Sequence, residues 1–97
     1  GFDCSGYVCW VYNQNGYNVG RTTANGLWQK SQHISEAEAK PGDLVFFKGT
    51  YDTPGMSHTG IYLGNGMMVS AGDPIKYANI HSSYWQKYLS GFGRLSK

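Results

Sequence analysis

The chain has 97 residues, 40% apolar and 15% aromatic, with 14 glycines and a net charge of +2 when histidine is neutral. Such a length makes one domain that can bury a core without disulfide staples, and such a mixture excludes a disordered chain. The Lys and Arg residues are scattered along the sequence, which excludes the clustered basic face of a nucleic-acid binder. No apolar run reaches the roughly 18 residues of a membrane span.

The first stretch to carry a signal is Asp3-Cys4-Ser5-Gly6-Tyr7-Val8. Asp3 is a good N-cap, and Tyr7, Val8, Val11 and Tyr12 recur at helical spacing. A helix over about 4–15 follows, ended by Asn15-Gly16 with Gly16 in the left-handed cap position. Its core face is expected to hold Cys4, Val8, Val11 and Tyr12. Cys4 falls in the first turn, where the helix dipole favours a negative charge. A thiolate is the nucleophilic form of cysteine. Cys4 is therefore either a candidate nucleophile or a buried structural cysteine. Cys9 lies five residues on, at an angle that disfavours a bridge to Cys4, and reads as a small hydrophobe.

After a connection at 17–20, Thr22 or Thr23 can cap a second short helix through Ala24, Leu27, Trp28 and Lys30. Residues 31–40 read as a loop with one turn at 36–39. Pro41-Gly42-Asp43 is a tight turn that launches Leu44-Val45-Phe46-Phe47, an apolar run expected as a buried strand. A loop over 48–57 leads to a strand at 58–63. Gly64-Asn65-Gly66 signals a hairpin, with the next strand at 67–71. A turn at Gly72-Asp73-Pro74 precedes a strand at 77–81. A short helix then carries Tyr84, Trp85, Tyr88 and Leu89, and 91–95 reads as a closing edge strand. Helices first and strands later define an α+β class with N-terminal helices packed on an antiparallel sheet.

A cysteine nucleophile needs a base, and the candidates are His33, His58 and His81. His33 reads as solvated, and His81 as a surface or capping residue. His58 opens a strand and could face a helix tip across a groove, or be a satisfied structural histidine. Its neighbour depends on the hairpin. A two-residue turn at Asn65-Gly66 puts Asp73 opposite His58. A three-residue loop with Gly66 as a bulge residue pairs Leu63 with Met67, Ile61 with Val69 and Gly60 with Ser70. The second register gathers Ile61, Leu63, Met67 and Val69 on one apolar face and sets Ser70 diagonally beside His58. A one-residue slip flips every side chain, so the cleaner segregation selects the three-residue loop and Ser70.

Asp3-Cys4-Ser5-Gly6, Pro41-Gly42-Asp43-Leu44 and Ser57-His58-Thr59-Gly60-Ile61-Tyr62-Leu63-Gly64-Asn65-Gly66, in this order, resemble the NlpC/p60 family of cell-wall cysteine peptidases. The resemblance covers nearly the whole chain. It implies a papain-like α+β fold and hydrolysis of bacterial peptidoglycan stem peptides, typically between D-γ-glutamate and the diamino acid. Cys4 would be the nucleophile and His58 the base. The family's third polar residue, usually His, Asn, Gln or Asp, falls on Ser70, a weaker orienter, with Asp73 the substitute if the register differs. Asp3 and Ser5 would help bind the stem peptide, and Trp28, Tyr51 and Trp85 could line the groove. No cofactor or metal is implied, and no nucleic acid or membrane span.

The family's upstream segment, with a tyrosine near the oxyanion site, is missing. Residues 1–97 are thus expected to be a single catalytic domain trimmed at its N-terminus, part of a longer secreted or cell-wall protein with other domains. Two other functions fit the same residues. One is a related amidase cutting between muramic acid and L-alanine, or an acyltransferase. The other is a catalytically weak wall-binding module.

Overall fold

Residues 4–70 and 76–96 are described by the computed structural model. Helix α1 spans Cys4–Gln14. Ser5, Val8, Cys9 and Tyr12 are buried along it, the i, i+3, i+4, i+7 stripe of a helix lying on a core. Val11, expected on that face, is only half-buried. Gly16 takes φ +87. Tyr17 N–H donates to Tyr12 O at 3.0 Å and Gly16 N–H to Asn13 O at 3.4 Å, which closes the helix with a Schellman motif. The Tyr12 hydroxyl donates to the Gly42 carbonyl, tying α1 to the turn that starts the central strand.

Helix α2 (Ala24–Lys30) is capped as expected by Thr23, whose hydroxyl accepts from Gly26 N at 3.0 Å. Asn25 and Gly26 make it weak on propensity, and the full burial of Leu27 anchors it.

Six strands follow: β1 (Gln32–Ile34), β2 (Leu44–Lys48), β3 (Met56–Gly64), β4 (Met67–Ser70), β5 (Lys76–Asn79) and β6 (Leu89–Arg94), with helix α3 (Ser83–Tyr88) before β6. They form one antiparallel sheet in the order β1-β6-β2-β3-β4-β5. The α+β class holds. Two expectations fail. The segment 32–34 is a strand rather than loop, because it finds a partner in β6. For the same reason β6 is interior, and β1 and β5 are the edges.

β2 is buried on both faces, with Leu44, Val45, Phe46 and Phe47 all at 0% exposure. Leu44 and Phe46 join α1 and α2 residues in one core; Val45 and Phe47 join Tyr62, Met68, Ile80 and Phe92 in a second, on the opposite face. Ile34 from β1 and Ala78 from β5 both pack against the second core, so the sheet curls around it.

The β3–β4 hairpin combines both expected forms. Asn65 and Gly66 have φ 55 and 77, the two-residue turn with positive φ at both positions. A bulge between Tyr62 and Gly64 then absorbs one residue, so Gly64 rather than Leu63 faces Met67. Beyond the bulge the register is the expected one, with Ile61 opposite Val69 and Gly60 opposite Ser70. The reason given for it does not hold: Tyr62 and Met68 are the buried pair here, while Leu63 is 38% exposed.

Candidate active site

Cys4 is the first residue of α1, in the turn where the macrodipole favours an anion. Both Cys4 and Cys9 are thiols, Cys4 half-buried and Cys9 buried. Cys4, Ser5 and His58 line one cleft of about 690 Å³, together with Thr23, Asn25, Tyr51, Ser57 and residues of the 53–56 segment. The sequence-predicted nucleophile and base are thus brought to the same cavity by α1 and β3. Of the aromatic residues expected at the groove, Tyr51 lines the cleft. Trp28 instead stacks on His33 at 3.4 Å and packs edge-on to Phe46 at 5.1 Å.

His58 is aimed by a bulge. Phe47 pairs with His58 and Lys48 with Met56, leaving Ser57 as the extra residue. Ser57 turns inward, donating to Phe47 O at 3.3 Å and sharing a 2.7 Å hydroxyl contact with Thr50. Bulges of this kind re-aim the adjacent side chain. His58 Nε2 lies 2.9 Å from Ser70 Oγ, the contact that the hairpin register predicts. Burial pushes the His58 imidazole down from its ordinary 6.5 to about 4, because removal from water disfavours the charged form.

Asn25 and Thr50 secure the cleft's roof, the β2–β3 loop. Asn25 Oδ1 accepts from Met56 N at 3.1 Å, and Thr50 N–H donates to Ser57 Oγ at 3.1 Å. Sequence reasoning missed Asn25 and Thr50 and also a half-buried ion pair between β6 and the turn before β2. Asp43, 6% exposed, accepts from Arg94 Nε and Nη2 at 3.0 and 2.7 Å and from Lys40 N at 2.8 Å. Burial raises the Asp43 carboxyl, but these bonds and the nearby charges outweigh it and hold the group below its ordinary value. The Pro41-Gly42-Asp43 turn was legible; its buried carboxylate could have been paired with the Arg94 of the last strand only through the three-dimensional pairing. Asp3 and Asp73 lie outside the described residues.

Among the described residues no three His, Cys, Asp or Glu side chains come together as metal ligands would, and no helix is long and apolar enough to cross a membrane.

A helix-tip cysteine and a strand histidine line one cleft beside an antiparallel sheet that follows the first helices, and the chain belongs to the NlpC/P60 family, which residues 1–94 match. It is 52% identical over 95 residues to the probable endopeptidase p60 of Listeria monocytogenes, covering 97% of this chain and 19% of that protein. It is 46% identical over 96 residues to the bifunctional muramidase/DL-endopeptidase CwlT of Bacillus subtilis, covering 98% of this chain and 29% of that one. A crystal structure from Staphylococcus aureus, similar to a lipoprotein of the NLP/P60 family, superposes with a TM-score of 0.93 at 41% identity, over 99% of this chain and 32% of that one. The chain therefore spans under a third of each of these proteins, and these relatives are named as endopeptidases or as members of the same family.

Proposed function

We propose that residues 1–97 act as a catalytic domain that hydrolyses the stem peptides of bacterial peptidoglycan at the bond between D-γ-glutamate and the diamino acid. Cys4 is the nucleophile, His58 the base, and Ser70 the residue that orients His58. The observation that carries this reading is the shared cleft of Cys4 and His58, and the DL-endopeptidase named among the relatives supports the choice of bond. The domain works outside the cell or in the wall and within a longer protein, the latter supported by the length of those relatives.

His58 Nε2 and Ser70 Oγ lie 2.9 Å apart; in the tautomer that this reading uses, Nε2–H donates to the hydroxyl and Nδ1 is the basic nitrogen. The Cys4 S–H bond breaks, its proton goes to Nδ1, and sulfur bonds to the scissile carbonyl carbon. The Cys4 backbone N–H, at the helix tip, helps hold the oxyanion. Burial lowers the basicity of the His58 imidazole. The imidazolium that forms is correspondingly a strong acid. It protonates the leaving amine as the C–N bond breaks, giving an acyl-enzyme. Water then attacks the thioester, His58 takes its proton, and the thiol and a carboxylate product are released. Asp3 and Ser5 bind the stem peptide beside the nucleophile.

The test is mass spectrometry of peptidoglycan digested by the wild type and by Cys4→Ala. New γ-glutamyl carboxylates and diamino-acid amines should appear with the wild type alone. Free muramic acid lactyl groups would instead mark an amidase, and an undigested wall a binding module.

A further inference from the structure

Residues of three elements hold His58. Ser70 on β4 meets one ring nitrogen at 2.9 Å. Phe47, directly opposite on β2, lies with its centroid 5.8 Å away and tilted 50°. Trp85 on α3 stacks over the imidazole, with centroids 5.0 Å apart and planes 27° from parallel. Phe47 and Trp85 also touch each other, at 4.7 Å. Trp85 packs against the second core, on the face of the sheet opposite α1 and α2. Tyr84 packs edge-on against Trp85 at 4.9 Å and against Tyr88 at 5.2 Å, which fixes the indole in turn.

We propose that Trp85 is a positioning residue for His58: its indole sets the plane of the imidazole and excludes water from the ring face it covers, leaving Ser70 to set only the ring's rotation within that plane. The inference rests on the reading of His58 as the base. A serine hydroxyl is a rotor and makes one neutral bond, so it cannot hold a ring plane as a carboxylate or amide fork does. A stacked indole can, and its area keeps water off the ring.

The groups around His58 offer the imidazolium little. β2 presents Phe47, with the exposed Lys48 next along the strand, and β4 presents Ser70. α3 presents Trp85, flanked by Tyr84, Lys87 and Tyr88, with the Lys87 ammonium over the Tyr88 ring at 5.5 Å. Cys4 lines the same cleft as His58. Among the described residues named here none is a carboxylate, and burial is the cause that lowers the basicity of His58. Asp73, outside the described residues, is the next acidic group along the chain from Ser70.

The experiment follows the His58 ring proton by NMR titration in the 97-residue chain as wild type, Trp85→Phe, Trp85→Leu and Asp73→Asn, with kcat and KM for a defined muropeptide measured across pH. Trp85→Leu should raise the His58 titration midpoint by about one pH unit or more, toward the ordinary histidine value. It should lower kcat about tenfold or more with little change in KM, as loss of an interaction made in the transition state does. Trp85→Phe should restore both, and Asp73→Asn should leave the midpoint in place. An unmoved midpoint or unchanged kcat in folded Trp85→Leu overturns the proposal, as does a Phe variant as impaired as the Leu variant, or a midpoint that follows Asp73 instead. Unimpaired turnover in His58→Ala would remove the base assignment, but the titration reads the Trp85 contact without reference to turnover.

Discussion

The bond from His58 to Ser70 joins two neutral groups, and such bonds are worth roughly 0.5–1.5 kcal/mol. Since about 1.4 kcal/mol is one decade in rate, Ser70→Ala should lower turnover by about tenfold at most, and Ser70→Asn should preserve or raise it. A loss of several orders of magnitude in steady-state assays of Ser70→Ala would mean that the hydroxyl does more than orient a ring. The two cysteines divide sharply in the same assays. Cys9 is 1% exposed in the core, so Cys9→Ser should cost stability but keep most of the activity per folded molecule, whereas Cys4→Ala should abolish it. Equal inactivity of the two, at equal folded fraction by circular dichroism, would reverse their roles. His58 also sets a pH dependence of stability. Its folded value of about 4 lies below its ordinary 6.5, so between those values the unfolded chain binds a proton that the folded chain does not. Stability is full above 6.5 and falls as pH drops through this window, by up to about 3 kcal/mol for such a shift. Asp43, whose value is also lowered, acts only below its ordinary 3.8. Urea unfolding at pH 7 and pH 5 should therefore show a drop in wild type that His58→Asn lacks; an equal drop in both proteins would assign the dependence to another group.

Elements explain why some of this was legible in the sequence and some was not. Caps are local chemistry: Thr23, and the Asn15-Gly16 stop, are set by side chains and φ angles within a few residues. The Gly60–Ser70 register was readable because the turn residues restrict it. Yet the turn is two residues long and a bulge at Leu63 supplies the third. Hydrophobic segregation pointed to the wrong face, because β3 contributes to both cores: Met56 and Ile61 pack on one and Tyr62 on the other. Gln32-His33-Ile34 has no strand signal of its own and becomes β1 only by pairing with β6. The same pairing makes β6 interior, and its alternating glycines now have a reason. An added Cβ would stand 2.8 Å from the Trp28 ring at Gly91 and 2.2 Å from Ser31 Oγ at Gly93, so α2 and its C-terminal end lie directly on the strand. Gly91→Val and Gly93→Val should each destabilise by about 1–3 kcal/mol, the usual cost of overpacking. Phe92, between them, belongs to the opposite core, so a Phe92→Leu control should leave the Trp28 fluorescence environment alone while both glycine variants shift it. Unshifted fluorescence in both would put α2 further from β6.

At the scale of the whole molecule, β2 divides the interior into a core under α1 and α2 and a core under α3. The curled sheet brings its ends near each other, and the exposed His81–Glu36 contact at 2.7 Å spans from the end of β5 to the turn after β1. As a surface pair it contributes little, about 0–1 kcal/mol, so closure depends on the second core. That core also carries the site: Phe47 touches His58 and Trp85, while its neighbour Phe46 touches Trp28 on the other face. Both rings are fully buried, so Phe46→Leu and Phe47→Leu should each cost about 1–3 kcal/mol in urea unfolding. Their effects on chemistry should part. Phe47→Leu removes a wall of the imidazole's enclosure, so the His58 titration midpoint should rise and turnover should fall. Phe46→Leu, facing away from the site, should leave both close to wild type at a pH where each protein is folded. Should Phe46→Leu move the His58 midpoint as far as Phe47→Leu does, the two cores would be mechanically coupled through β2, and His58 would be responding to the strand as a whole rather than to the rings in contact with it.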